Sequence, residues 1–423
     1  MAAEGESIRR RLSIFGDHSY RRLWGIGAVN SVMRWVEMVA VSVFVLELTG
    51  SVGDLVMVSF FRALPMLTFG VLFGAVADKV DRRLLLTSIM AMMALVYATL
   101  GVLVIAERIQ LWHIMVGTFV LGVGWATDFP VRRNMVSEVV GRPGIAAAIG
   151  VDQATMNVAR IIGPTVSGAF VQLIGVEAAY FSGAVLYAVA VVLAAGLAWK
   201  PRQRQQASVG PLKNISEGLR YVKSSDVLVP TLLVTVIVNV FVFPYTFVVP
   251  AIATNELHVG AVLLGVMTSF EGLGATMGSV LIATRAASRH YTRVYLFGSL
   301  VFAVMVLAFA GVPWYGLALP VVFVSGLAMS GFGAMQSIIV LNAVPAELRG
   351  RVLGVLTVCI GTGPFGALIV RWLAESYGPR TSIAVIGAVG LCLTGATALL
   401  WPRFAKLREI ELVPGRPAAG TTA

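Results

Sequence analysis

Six ionisable side chains stand inside long apolar runs of this chain: Arg34, Glu37, Arg62, Asp152, Arg160 and Glu271. Keeping one such charge in a membrane interior costs about 2.5–3.5 kcal/mol on insertion scales, so those that are kept are candidates for function. A carboxyl group held away from water takes up a proton readily, and a guanidinium that approaches it drives the proton off. Glu37, Glu271 and Asp152 are therefore candidate proton-coupling residues, with Arg34, Arg62 and Arg160 as midplane partners that would reset them. Mutual neutralisation between helices is the competing reading of any single pair. Asn157, Asn239, Phe241 and Tyr245 add amide and aromatic surface that suits a cavity for an amphipathic solute; apolar packing against lipid competes as the reading of the aromatics.

The elements that must position these groups follow from hydropathy. The chain has 423 residues, 58% hydrophobic and 13% charged, with a mean hydropathy of +0.87. A run of about 20 apolar residues is needed to cross about 30 Å of hydrocarbon as a helix. On that measure residues 23–48, 53–77, 84–106, 111–136, 146–174 and 178–199 form six candidate spans, and 227–253, 259–284, 294–312, 315–343, 352–376 and 381–401 form six more. Counted inward from the span starts, Arg34, Glu37, Arg62, Arg160 and Glu271 lie about 13–21 Å deep, near the midplane. The third, sixth, ninth and twelfth spans carry no Asp, Glu, Lys or Arg, which marks them as lipid-facing scaffold.

The long polar interior stretch divides the spans six and six, and part of it, Leu212 to Val222, has the pattern of a short amphipathic helix. The domain reading is a segment 1–22, a six-helix bundle 23–199, a linker 200–226, a second bundle 227–402 and a tail 403–423. The halves echo one another: "SFFRALP" at Ser59 resembles "SFEGLGA" at Ser269, and "IIGPTVSG" at Ile161 resembles "GTGPFGA" at Gly361. Such echoes are the trace of a duplicated transporter. Lys and Arg crowd the ends of the chain, the linker and alternate loops, so both termini are expected in the cytoplasm of a cell-membrane protein. That bias accounts for the net charge of +11 without nucleic acid as a partner. No cleavable signal is expected, since the first 22 residues are too polar for its apolar core. The four His are scattered and Cys359 and Cys392 fall inside spans, so no metal site, cofactor or membrane-embedded enzyme is expected.

Two stretches carry a family resemblance. The charged turn after the second span, with Gly74, Asp78, Lys79, Arg82 and Arg83, resembles the signature loop of the major facilitator superfamily, Gly-x-x-x-Asp-(Arg/Lys)-x-Gly-(Arg/Lys)-(Arg/Lys). Asp81 replaces its usual glycine, a variant of the macrolide-efflux and siderophore-export branch. In that family the loop is a conformational latch whose basic residues pair with an acid at the end of the fourth helix, a role the resemblance gives to Asp128. The fifth span resembles the family's antiporter signature, with Gly150, Gly163, Pro164 and Gly168 in place, and Ala159 and Ser167 at two further glycine positions. The fourth span departs from the family: Thr118 stands where drug antiporters often carry an arginine.

The expected fold is thus an all-α polytopic membrane protein, twelve transmembrane helices in two pseudo-symmetric six-helix bundles of the major facilitator type. The resemblance implies a monomeric, proton-coupled exporter of lipophilic or amphipathic small molecules working by alternating access within the lipid bilayer. A facilitator or importer and a lysophospholipid translocator are the alternatives on the same fold.

Overall fold

The structure, a computed structural model, describes residues 13–77, 81–198, 218–285, 290–402 and 404. The first half comprises α1 (His18–Thr49), α2 (Val52–Ala77), α3 (Arg82–Ile105), α4 (Leu111–Gly141), α5 (142–173) and α6 (Val176–Ala195). The second comprises α7 (Leu228–Glu256), α8 (Ala261–Arg285), α9 (Tyr291–Ala310), α10 (Tyr315–Ala343), α11 (Ala346–Ile360, continued by Gly363–Tyr377) and α12 (Pro379–Leu400). Ten of these segments are long and apolar enough to cross a membrane, and α2 and α5 pack among them at similar length.

Local chemistry sets several boundaries that hydropathy misses. Helix α1 begins at His18 rather than residue 23, because the Asp17 carboxylate accepts hydrogen bonds from the Ser19 and Tyr20 amides at 2.7 and 3.0 Å. Asp81 does the same for α3, accepting from the Arg83 and Leu84 amides at 2.8 and 3.3 Å. Helices α4 and α5 form one run, Leu111–Leu173, broken at Gly141 (φ 63°, ψ 174°), where glycine takes a conformation other residues resist. Helix α7 loses regular geometry near Pro244 and Pro250, with a 3-10 turn at Phe243–Phe247 and a π turn at Ile252–Glu256.

Helix α3 packs on α6, and α9 on α12. These four present exposed apolar side chains such as Leu95, Val102, Val192, Phe297 and Leu399, as lipid contact requires. Each half buries its own core. Tyr97, Tyr180, Tyr187 and Met93 fill the first, and Tyr295, Phe302, Phe309 and Phe332 the second. The end of the linker, 218–222, docks on the second half through Val222, which is buried with Leu228, Val340, Val352 and Val355. The first part of its expected amphipathic helix, 212–217, lies outside the described residues.

The start of α1 and the end of α12 share one side, called here the terminal face. The halves meet on the opposite, far side, where α5 packs on α8 and the Gly363–Tyr377 part of α11 on α2. Val39, Val43 and Val56 of the first half join the second half's core there. At the terminal face the cluster around Val222 draws on the second half alone. Among the described residues the halves are thus in contact toward the far face and part toward the terminal face; the space between them is called here the cavity.

Candidate functional site

Two charged pairs lie at the inner end of this cavity. Arg62 Nη1 on α2 approaches Glu37 Oε2 on α1 to 3.6 Å. Glu37 is only 2% exposed, and neither carboxylate oxygen has a hydrogen-bond partner. Beside it a small void bounded by Ser42, Ser59, Arg62 and Thr118 has room for about one water. In the second pair, Arg160 Nη2 on α5 lies 3.9 Å from Glu271 Oε1 on α8. Glu271 also accepts a hydrogen bond from Tyr245 Oη at 3.0 Å, and the Tyr245 hydroxyl shares a second with Ser325 at 3.1 Å. The Arg160 guanidinium lies 5.7 Å over the Trp35 ring and 3.7 Å from Met329 Sδ. Among the described residues this is the ion pair found between the two halves. Arg34 takes neither carboxylate; its guanidinium lies 5.8 Å over Trp125, and the side chain is exposed.

The remaining candidates divide. Asn157 is half-buried and accepts a hydrogen bond from Gln153 at 3.4 Å. Asn239 is buried and donates to Thr235 O of its own helix at 2.8 Å. Phe241 packs by Gly390 of α12, and Tyr245 against Phe302 and Phe309. Asn239 and Tyr245 are thus buried in the second half, Tyr245 with its hydroxyl on Glu271, while Phe241 is half-buried with its Cβ beside Gly390.

Asp152 and Asp128 also sit elsewhere than the sequence suggests. Arg132 Nη1 donates to both Asp152 oxygens at 3.0 and 3.1 Å, and its Nε to Asp128 Oδ2 at 3.2 Å. The buried Arg132 thus bridges α4 and α5, with Gly27 of α1 close against its guanidinium. Asp128 therefore pairs within its own helix. Among the described residues, an acid that meets the charged turn is Glu138, whose Oε1 accepts from Arg82 Nη1 at 2.5 Å. Arg83 reaches Ala195 O at the end of α6. Gly74 lies in α2, and Asp78 and Lys79 lie outside the described residues. Arg132 had a local signal, the i,i+4 spacing to Asp128 that places both on one helix face.

The antiporter-like stretch of α5 has several different surroundings. Gly150 has open space, Ala159 is buried, and Gly163 faces Trp35. Gly168 lies against the backbone of Ala261 and Val262, and Pro164 against Gly265, so α5 and α8 touch backbone to backbone. Thr165 and Ser269 hydroxyls bond across this seam at 2.8 Å, and the Val262 amide donates to Gln172 at 3.1 Å.

Two six-helix halves around a charged midplane cavity, sealed on one side and open on the other, define a secondary transporter of the major facilitator fold. The chain is 23% identical to a staphyloferrin A transporter of Staphylococcus aureus, over 85% of this chain and 91% of that one. It is 27% identical to the multidrug efflux pump Tap of Mycolicibacterium fortuitum, over 89% and 93%. The crystal structure of a bacterial homolog of the human lysosomal transporter Spinster, inward-facing and unoccupied, shares the fold with a TM-score of 0.72 at 13% identity, covering 94% of this chain and 98% of that one. Residues 11–419 match the family described as transmembrane secretion effector, and the chain belongs to that family.

Proposed function

We propose that the chain exports amphipathic small molecules across the cell membrane in exchange for protons, by alternating access, with both termini in the cytoplasm. The observation that carries this reading is the pair of buried carboxylates, Glu37 and Glu271, each set against a guanidinium at the midplane. Glu271 and Arg160 lie on opposite halves, so a proton on Glu271 weakens a tie that a rocking motion must break. The Glu37 carboxylate has no hydrogen-bond partner among the described residues, which makes its charged form depend on Arg62 and on any water beside it. Efflux by the relatives named Tap supports the direction, and the Lys and Arg bias supports the orientation. In that orientation the cavity faces the cytoplasm, ready to load. Arg82 with Glu138 ties α3 to α4 beside the signature turn, a suitable anchor for a latch there.

The test uses purified protein in proteoliposomes with a pH-sensitive dye inside, an imposed proton gradient and a panel of lipophilic drugs, siderophores and lysolipids. Compound-dependent proton flux that is lost in E37Q or E271Q is expected. Solute movement down its own gradient, with no proton flux and no effect of either substitution, sinks the exchange reading.

A further inference from the structure

Three guanidinium groups and two carboxylates converge at the midplane, and two of the guanidinium groups already have acids. Arg62 has Glu37 and Arg160 has Glu271. Arg34 has neither an ion pair nor a hydrogen bond with any described residue, and Arg62, Arg160 and Glu37 are close enough to bear on its charge. An arginine is effectively always protonated, so the site carries a surplus positive charge. A cation in that position needs either water or an anion, and the cavity leaves Arg34 exposed to whatever enters.

The group is also held in place. The Arg34 guanidinium lies over the Trp125 ring at 5.8 Å, with Arg62 at 6.0 Å from the same ring. The ring itself is fixed, because its Nε1 donates to Tyr187 Oη at 3.3 Å and Tyr187 donates to Asn30 at 2.9 Å. A guanidinium attracted to a ring in this way spends none of its N–H donors on it as conventional hydrogen bonds, so they stay available to an oxyanion, two of them in parallel where the fork geometry allows. A partner fixed in advance gives up little freedom on binding.

We propose that Arg34 is the docking point for an oxyanion on the transported solute, so that the cavity selects amphipathic organic monoanions, carboxylates first among them. This rests on the reading of the cavity as a transport site, and it is independent of transport direction. Because Arg34 stands outside both ion pairs, solute and proton have separate ligands. The two then do not contest one side chain, although Glu37 is near enough to Arg34 to respond to an anion bound there.

Equilibrium binding by fluorescence polarisation on the purified full chain in nanodiscs tests this with a matched pair, N-dansyl-phenylalanine and its carboxamide. The acid should bind at least about tenfold more tightly than the amide, as a charge-assisted hydrogen bond implies. In R34Q the two should converge on the amide's affinity, with amide binding itself showing that the variant is folded. R34K should keep part of the preference. Equal binding of the two probes to the unaltered chain, binding of neither, or a preference that survives R34Q overturns the proposal. An acid preference without any flux in proteoliposomes would instead sink the transport reading and leave the anion site standing.

Discussion

The far-side seam offers the sharpest test of how the halves move. A Cβ placed on Gly265 would lie 2.8 Å from both Pro164 C and Thr165 Cα, where ordinary contact begins at 3.4 Å. The obstacle is backbone on both sides, so no side chain can swing away to make room. The helices must part by about 0.6–1.2 Å, and overpacking of that kind costs about 1–3 kcal/mol. The cost falls only on the state in which the seam is closed. G265A should therefore raise the far-open population relative to the far-closed one about 5- to 150-fold. Spin labels on the exposed far-side loops at Arg108 and Pro313, in a background with Cys359→Ser and Cys392→Ser, report the change by double electron–electron resonance. A longer-distance population should grow in G265A. The control is G150A on α5, where a Cβ meets nothing within 4 Å; it should leave the distances alone and stabilise its helix by about 0.5–1 kcal/mol. Identical distance distributions for G265A, G150A and the unaltered chain would refute the claim that backbone contact holds the far side shut.

Two further predictions concern charges near the terminal face. R132M should strand Asp128 and Asp152 without their shared cation and lower stability by about 3–5 kcal/mol, read from the thermal midpoint in detergent. Replacing both aspartates by asparagine in the same variant should recover much of it, and an unchanged midpoint in R132M would show that the bridge does not matter. D81A should cost about 1 kcal/mol while D81N, which still caps the helix, and D81G should cost only a few tenths. If D81N proves as harmful as D81A, the residue acts through its charge and not as a cap.

Hydropathy and charge placement made the twelve spans readable, because a helix in lipid must be long, apolar and internally hydrogen-bonded. The internal echoes were informative too. The matched helices, α2 with α8 and α5 with α11, are the four that form most of the contact between the halves. The midplane acids and arginines were found by depth alone, since few residue types survive there by chance. Partnership was harder to read, because it depends on which helices face each other. Asp152 and Arg160 are both on α5, yet one joins Arg132 near the terminal face and the other reaches Glu271 across the cavity. Asp81 looked like a departure from the family's loop, and its cap geometry gives it a local task that a pattern of charges does not reveal. The surroundings of Phe241 and Tyr245 were harder still to read, because a broken helix does not keep the 3.6-residue phase that assigns its faces.

The contacts between α5 and α8 on the far side are neutral: glycine against backbone, one pair of hydroxyls, and an amide on a glutamine. Salt screens charges and has nothing to act on in such a seam. In the proposed orientation that side meets the outside medium, whose ionic strength a cell does not control. The ion pair linking the halves is withdrawn to the midplane, and the Arg82–Glu138 and Arg132 clusters lie toward the cytoplasm, where salt is regulated. The α5–α8 part of the outer door is thus indifferent to brackish or dilute surroundings, while Arg371 and Glu375, beside Gly53 of α2, are charges there that salt can reach.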